Sequence, residues 1–152
     1  MCDDAVLQKV DVTALHGETS YIYLPYDKAE KVLRIEDEYL KYWKGVFEKK
    51  IEFHGDWLEV QHISFGKDLR WMCFNAEMAG AYGEYIKSLD SNCLPLGYCN
   101  GMIGYVATRQ QIEEGGYEAL NFIVFFQKPH PFQGEIETTI KDQTAKMLKG
   151  EK

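Results

Sequence analysis

Two tyrosines on tightly turned backbone are the residues of this chain best placed to do chemistry. Both lie in the run Gly97 to Glu118, GYCNGMIGYVATRQQIEEGGYE. Asn100-Gly101 is a strong turn signal, because both residue types tolerate positive φ. Ile103 to Val106 then reads as a short strand. The T-x-x-Q spacing of Thr108 and Gln111 is that of a capping box and predicts a helix start. Gly115-Gly116 stops that helix at once. Tyr105 therefore sits between a turn and a helix start, and Tyr117 follows a double glycine. Side chains held on such backbone are frequent binding and catalytic groups. Two readings stay open: a site, or a well-punctuated surface loop.

Other residues with metal or nucleophile chemistry are poorly spaced for it. His16, His54, His62 and His130 are scattered, and no two have the i, i+2 or i, i+4 spacing of a ligand pair. The four cysteines, Cys2, Cys73, Cys93 and Cys99, form no C-x-x-C pair, which argues against structural zinc. Cys73, Cys93 and Cys99 lie in apolar stretches and read as small buried hydrophobes.

The elements that must position the tyrosines follow from periodicity. Val6 to Leu15 alternates as a half-buried strand would, and Tyr21 to Leu24 extends that character to Pro25. Asp27 and Glu30 make a capping-box-like start for a long amphipathic helix. Its stripe runs through Ala29, Val32, Leu33, Tyr39, Leu40, Trp43, Val46 and Phe47, and it ends near Lys50. Residues 57–64 and 69–74, turning at Gly66-Lys67-Asp68, predict a β-hairpin. Asn75 is placed to cap a helix whose apolar face is Met78, Tyr82, Tyr85, Ile86 and Leu89. In that helix Glu77 falls in the first turn, where the helix dipole favours any carboxylate. Leu94 to Cys99 reads as a strand, Leu120 to Phe126 as a central strand, and Gly134 to Leu148 as a last helix. These elements imply a single α/β domain over residues 1–152, with a mixed β-sheet flanked by helices in a three-layer-like arrangement and one hairpin.

Composition bounds the function classes. The 152 residues suit one domain with its own core, and 45% hydrophobic with 27% charged residues is the balance of a soluble globular protein. A net charge of −7 without a basic stripe argues against nucleic acid. No stretch has the length of a membrane span, and the first residues lack a signal-peptide layout, so a cytoplasmic setting is expected. Aromatic content is 14%, with ten tyrosines, which suits a half-buried sheet, an interface or a ligand surface.

The run NGMIGYVATRQQIEEGGYE resembles the signature segment of the neutral/alkaline, non-lysosomal ceramidase-like hydrolases, particularly their bacterial members. In that family an N-x-x-x-G-Y-x-x-T segment precedes a helix and a Y-E pair. The matching residues here are Asn100, Gly104, Tyr105, Thr108, Tyr117 and Glu118. LEVQHISFGKDLRWMCFNAEMAGAYGEYIKS is similar to the family's hairpin, P-G-E turn and helix, the turn being Asn75-Ala76-Glu77 here. YIYLPYDKAEKV and the C-terminal KMLKGEK extend the likeness over nearly the whole chain.

The resemblance implies the C-terminal part of a larger zinc-dependent amidase, a family that cleaves the N-acyl bond of ceramide in sphingolipid metabolism. Its metal is held by two histidines from the N-terminal half and by a Glu and a Tyr that match Glu77 and Tyr105. Tyr117 matches the tyrosine that polarises the substrate amide. The histidine ligands belong to segments outside this chain. The expectation is therefore a partial hydrolase domain, inactive by itself, whose zinc site is completed by a histidine-bearing N-terminal half as a separate chain. The alternative is a non-catalytic remnant that forms a homodimer through its aromatic surface or binds a small ligand.

Overall fold

A computed structural model describes residues 9–29, 36–47 and 53–150 of the chain. It is of the mixed α/β class expected. Strands β1 (Leu15–Pro25), β2 (Gly55–Phe65), β3 (Arg70–Phe74) and β5 (Cys93–Leu96) form a four-stranded sheet in the order β1-β2-β3-β5. The first two pairings are antiparallel and the third is parallel. Helix α2 (Gly80–Leu89) makes the crossover that a parallel pair requires. A separate two-residue ladder joins β4 (Glu77–Met78) to β6 (Tyr105–Val106), again parallel. The remaining helices are α1 (Asp37–Phe47), α3 (Arg109–Glu114), α4 (Phe122–Phe125) and α5 (Ile136–Lys149). Among the described residues, no helix is long and apolar enough to cross a membrane.

Strand alternation sends Ile22, Leu24, Leu58, Val60, Met72 and Phe74 to one face, where all are buried. That face packs against Tyr82 and Ile86 of α2, Ile136, Ile140 and Met147 of α5, and Phe122 to Val124. The hairpin matches its expected limits closely. The last helix also forms as its stripe predicts, and Gly150 closes it in the left-handed conformation.

Several expectations are corrected. β1 begins at Leu15; residues 9–14 are irregular and Val6 to Gln8 lie outside the described residues. Asp27 Oδ1 accepts the Ala29 N–H at 3.0 Å, and the helix start expected there runs into residues 30–35, which lie outside the described residues. Helix α1 is described only from Asp37, and residues 30–35 and 48–52 lie outside the described residues. Asn75 is no helix cap: its Oδ1 accepts from Glu59 N at 2.8 Å, across the hairpin. The helix begins five residues later, at Gly80, because residues 77–78 are drawn into the ladder with β6. Leu120 to Phe126 is helical rather than a strand. A π-helical turn over Tyr117–Asn121 leads into α4, with Asn121 N–H bonding Gly116 O at 3.1 Å. A short, nearly continuous apolar run carries no periodicity to separate the two states.

Gly104 holds these parts together. It lies at φ 119°, and a Cβ there would meet Cε2 of Phe122 at 2.7 Å. Gly104→Ala should therefore destabilise the fold by about 3 kcal/mol, from the positive-φ penalty together with overpacking. Urea unfolding measures this. The loss should shrink when Phe122→Leu is already present, and a loss that stays constant would disconnect the glycine from the ring.

Candidate functional site

The ladder between β4 and β6 creates the site. Ile103 N–H bonds Asn75 O at 2.9 Å, Glu77 N–H bonds Gly104 O at 3.0 Å, and Ala79 N–H bonds Val106 O at 3.0 Å. In this register Glu77 is directly opposite Tyr105. Both side chains are half-exposed, and they line one cavity of about 200 Å³ with Gln111 and Glu118. Residues 28 positions apart in sequence thus share a wall. The capping box after β6 forms in full, Thr108 Oγ1 accepting from Gln111 N and Gln111 Oε1 from Thr108 N.

Tyr117 stands beside them. Its ring meets that of Tyr105 edge-on, with centroids 5.5 Å apart, and it is 43% exposed. The Tyr105 ring also packs edge-on against Phe122 and Phe126, both at 5.9 Å. Tyr117 continues outward to Phe125 at 5.9 Å, and Phe125 to Tyr39 at 5.6 Å. All three residues singled out from the sequence, Glu77, Tyr105 and Tyr117, therefore fall in one place. Two of the strand-and-helix assignments around them did not survive, yet the grouping holds because the ladder, not the helix, sets it.

The electrostatics centre on the Glu77 carboxylate. It accepts a hydrogen bond from the Tyr105 hydroxyl, and this bond, with desolvation and the carboxylate charge adding to it, pushes the Tyr105 phenol up to about 12. A bond to the carboxylate also raises Tyr98, a residue the sequence reading passed over. Tyr98 lines a second cavity, about 300 Å³, on the other side of Glu77. It is 61% exposed and its backbone sits at φ 59°, as does that of Asn100. A bulky residue in the left-handed region is strained, and such strain clusters at functional sites. The signal was in the sequence: a tyrosine wedged between Gly97 and the Asn100-Gly101 turn.

None of the four histidines lines either cavity beside Glu77. His62 is buried on the inner sheet face, with Nδ1 3.1 Å from Glu18 Oε1. His54 Nδ1 lies 3.0 Å from Lys28 Nζ, and His130 neighbours the Tyr26 ring. Among the described residues, no group of three or more His, Cys, Asp or Glu side chains is arranged to hold a metal. Cys73 and Cys93 are buried and Cys99 is half-buried. Burial pushes the Cys73 thiol up to about 12 and the Cys93 thiol to about 11, so both are unreactive at neutral pH.

Compared with known proteins, the chain matches no protein-family model and no curated protein.

The Glu77 bond makes a pH prediction. The folded chain keeps the Tyr105 proton between pH 10.0 and about 12, where the unfolded chain has lost it. The bond's contribution is thus complete below the ordinary tyrosine value and disappears as pH rises through that window. In Glu77→Gln the phenol should ionise nearer the ordinary value, seen as an earlier rise in ultraviolet absorbance on alkaline titration. Superimposable curves for the two proteins would rule the bond out.

Proposed function

We propose that this chain supplies one wall of a zinc-dependent amide hydrolase site of the ceramidase-like kind. In this reading Glu77 and Tyr105 are metal donors and Tyr117 is the catalytic group that polarises the substrate amide. The observation that carries it is the pairing of Glu77 with Tyr105 across β4 and β6. Two oxygen donors from distant sequence positions are fixed on neighbouring strands, so only side-chain torsions remain to be adjusted on binding.

The donor set suits a borderline divalent cation such as zinc, which accepts carboxylate oxygen as a ligand. Zinc, when bound, lowers the pKa of a coordinated water to around 7 and polarises a carbonyl. The chain's own residues have distinct tasks. Glu77 contributes negative charge and holds the Tyr105 phenol in place while the metal is absent. The Tyr105 phenol loses its bias toward the protonated form beside a divalent cation. Tyr117, half-exposed and edge-on to Tyr105, is within reach of an acyl group presented at the cavity mouth. Gln111 and Glu118 complete the lining of this wall.

Two donors fall short of the three protein ligands of catalytic zinc. The missing ligands are assigned to a histidine-bearing N-terminal half on a separate chain, and the present chain alone is inactive. The substrate class is an N-acylated amide, of which ceramide is one member. The reading rests on the resemblance of residues 97–118 together with this geometry.

Zinc affinity tests it without any activity assay. By competition with a chromophoric chelator, Glu77→Gln and Tyr105→Phe should each weaken binding by about tenfold or more, the scale seen even for groups one shell further out. Tyr117→Phe should leave affinity unchanged. Equal zinc affinity in all four proteins would refute the metal assignment.

A further inference from the structure

The outward face of the four-stranded sheet is built to be covered. Alternation along the strands and the observed registers place Tyr21, Tyr23, Trp57, Ile63, Trp71 and Leu94 together on it. Tyr21 is 61% exposed and Trp57 58%. Their rings already associate: Tyr23 with Trp57 at 5.1 Å, and Phe65 with Trp71 at 4.6 Å. Helices α2 and α5, which contact the sheet, bury their apolar residues against its other face. Glu59 is the one charged side chain among the outward positions of these strands, in a chain with 27% charged residues. Its Oε1 is occupied by Asn100 Nδ2 and Gln61 Nε2, both at 2.9 Å.

We infer that this face is the interface of a homodimer, in which the sheets of two copies stack face to face. Apart from Glu59, already held by two amides, the outward strand positions offer no charge for a chemically different partner to complement. An apolar, aromatic surface of that kind is complementary to itself, as a two-fold contact demands. Its size is also sufficient. With 11 residues in each of β1 and β2, 5 in β3 and 4 in β5, the four strands cover roughly 500 Å² in projection at ~3.3 Å per residue and ~4.8 Å spacing. Protruding rings raise the accessible area toward the ~800 Å² per partner of a standard interface. Two such sheets pack at about 10 Å, rotated by about 30°, with side chains interleaved. Edge-to-edge pairing through β1 would leave the aromatic face in water and so does not replace this arrangement.

The charge balance adds a signature. Each copy carries a net charge of −7, so long-range repulsion opposes association and salt relieves it. Dimerisation should therefore tighten as sodium chloride is raised, the opposite of a complex with a cationic partner.

Sedimentation equilibrium on the native chain is the test, at about 50 µM, where modest interfaces of this size already associate. The expected species has twice the 17.6 kDa chain mass, and salt favours it. Tyr21→Lys and Trp57→Lys should each yield monomer with unchanged far-ultraviolet circular dichroism, whereas Leu89→Lys on α2 should remain dimeric. Should a lysine variant fail to fold, diluting the native chain still decides the matter, because tryptophan emission must shift to the red in step with the loss of mass. A native chain that is monomeric throughout overturns the inference and leaves the face to a different polypeptide. A dimer that both lysine substitutions leave intact overturns it as well. Neither result bears on zinc, so this inference and the hydrolase reading fail separately.

Discussion

The two-residue parallel ladder between β4 and β6 is the constraint on which the rest of the molecule depends. It begins where the hairpin ends and ties that point to a loop almost thirty residues downstream. Three backbone bonds at about 1 kcal/mol each cannot hold such a junction alone. Packing decides it. Phe122 closes against Gly104, edge-on to Tyr105, and its ring centroid is 6.2 Å from that of Phe132, which stacks on Tyr26 at the end of β1. Truncating a buried phenylalanine of this kind costs about 3–5 kcal/mol. The ladder is short because the glycine must sit there for the ring to approach, and the ring must approach for the ladder to close.

That junction has an electrostatic consequence. A carboxylate at the end of a two-residue strand has no helix dipole to stabilise it, and here it draws two phenols instead. Tyr105 comes from the ladder partner and Tyr98 from a strained turn on the opposite side. The strained backbone at Tyr98 is held by local bonds, Tyr98 N–H to Ala76 O at 3.1 Å and Cys99 N–H to Phe74 O at 2.8 Å. Folding free energy is thus spent on keeping three polar groups close together at the surface. Packing against Phe122 and Phe126 fixes the Tyr105 ring, whereas Tyr98 is 61% exposed and is brought to Glu77 by its turn.

Much of this was legible in the sequence, for reasons that can be named. The hairpin, the capping box at Thr108 and the final helix are local events, decided by alternation, by a four-residue motif and by a 3.6-residue stripe. The segment Leu120 to Phe126 was not legible, because six apolar residues around Asn121 fit a central strand and a helical turn equally well. Asn75 is a good helix cap in isolation; a tertiary bond to Glu59 N outcompeted that role. Glu77 was assigned to a helix and belongs to a ladder, since a pairing of two residues leaves no periodic trace. The grouping of Glu77 with Tyr105 and Tyr117 came from the family resemblance, and no reading of spacing would have produced it. Tyr98 was missed because Gly97 and the Asn100-Gly101 turn mark a bent loop without saying which residue in it takes the left-handed angle.

The site and the outward sheet face meet at one residue. Asn100 opens the turn that delivers Tyr105, and its side chain reaches across to Glu59 on β2. A sheet stacked on the outward face would abut this turn and limit the freedom of the Asn100-Gly101 backbone, whose φ values are both positive. The same apolar face that must be removed from water therefore borders the loop that shapes the tyrosine wall. Covering the face would rigidify the loop through Glu59, with no contact to Glu77 itself. The order of the site is then set from both sides, by Phe122 beneath Gly104 and by whatever lies over Trp57 and Tyr21.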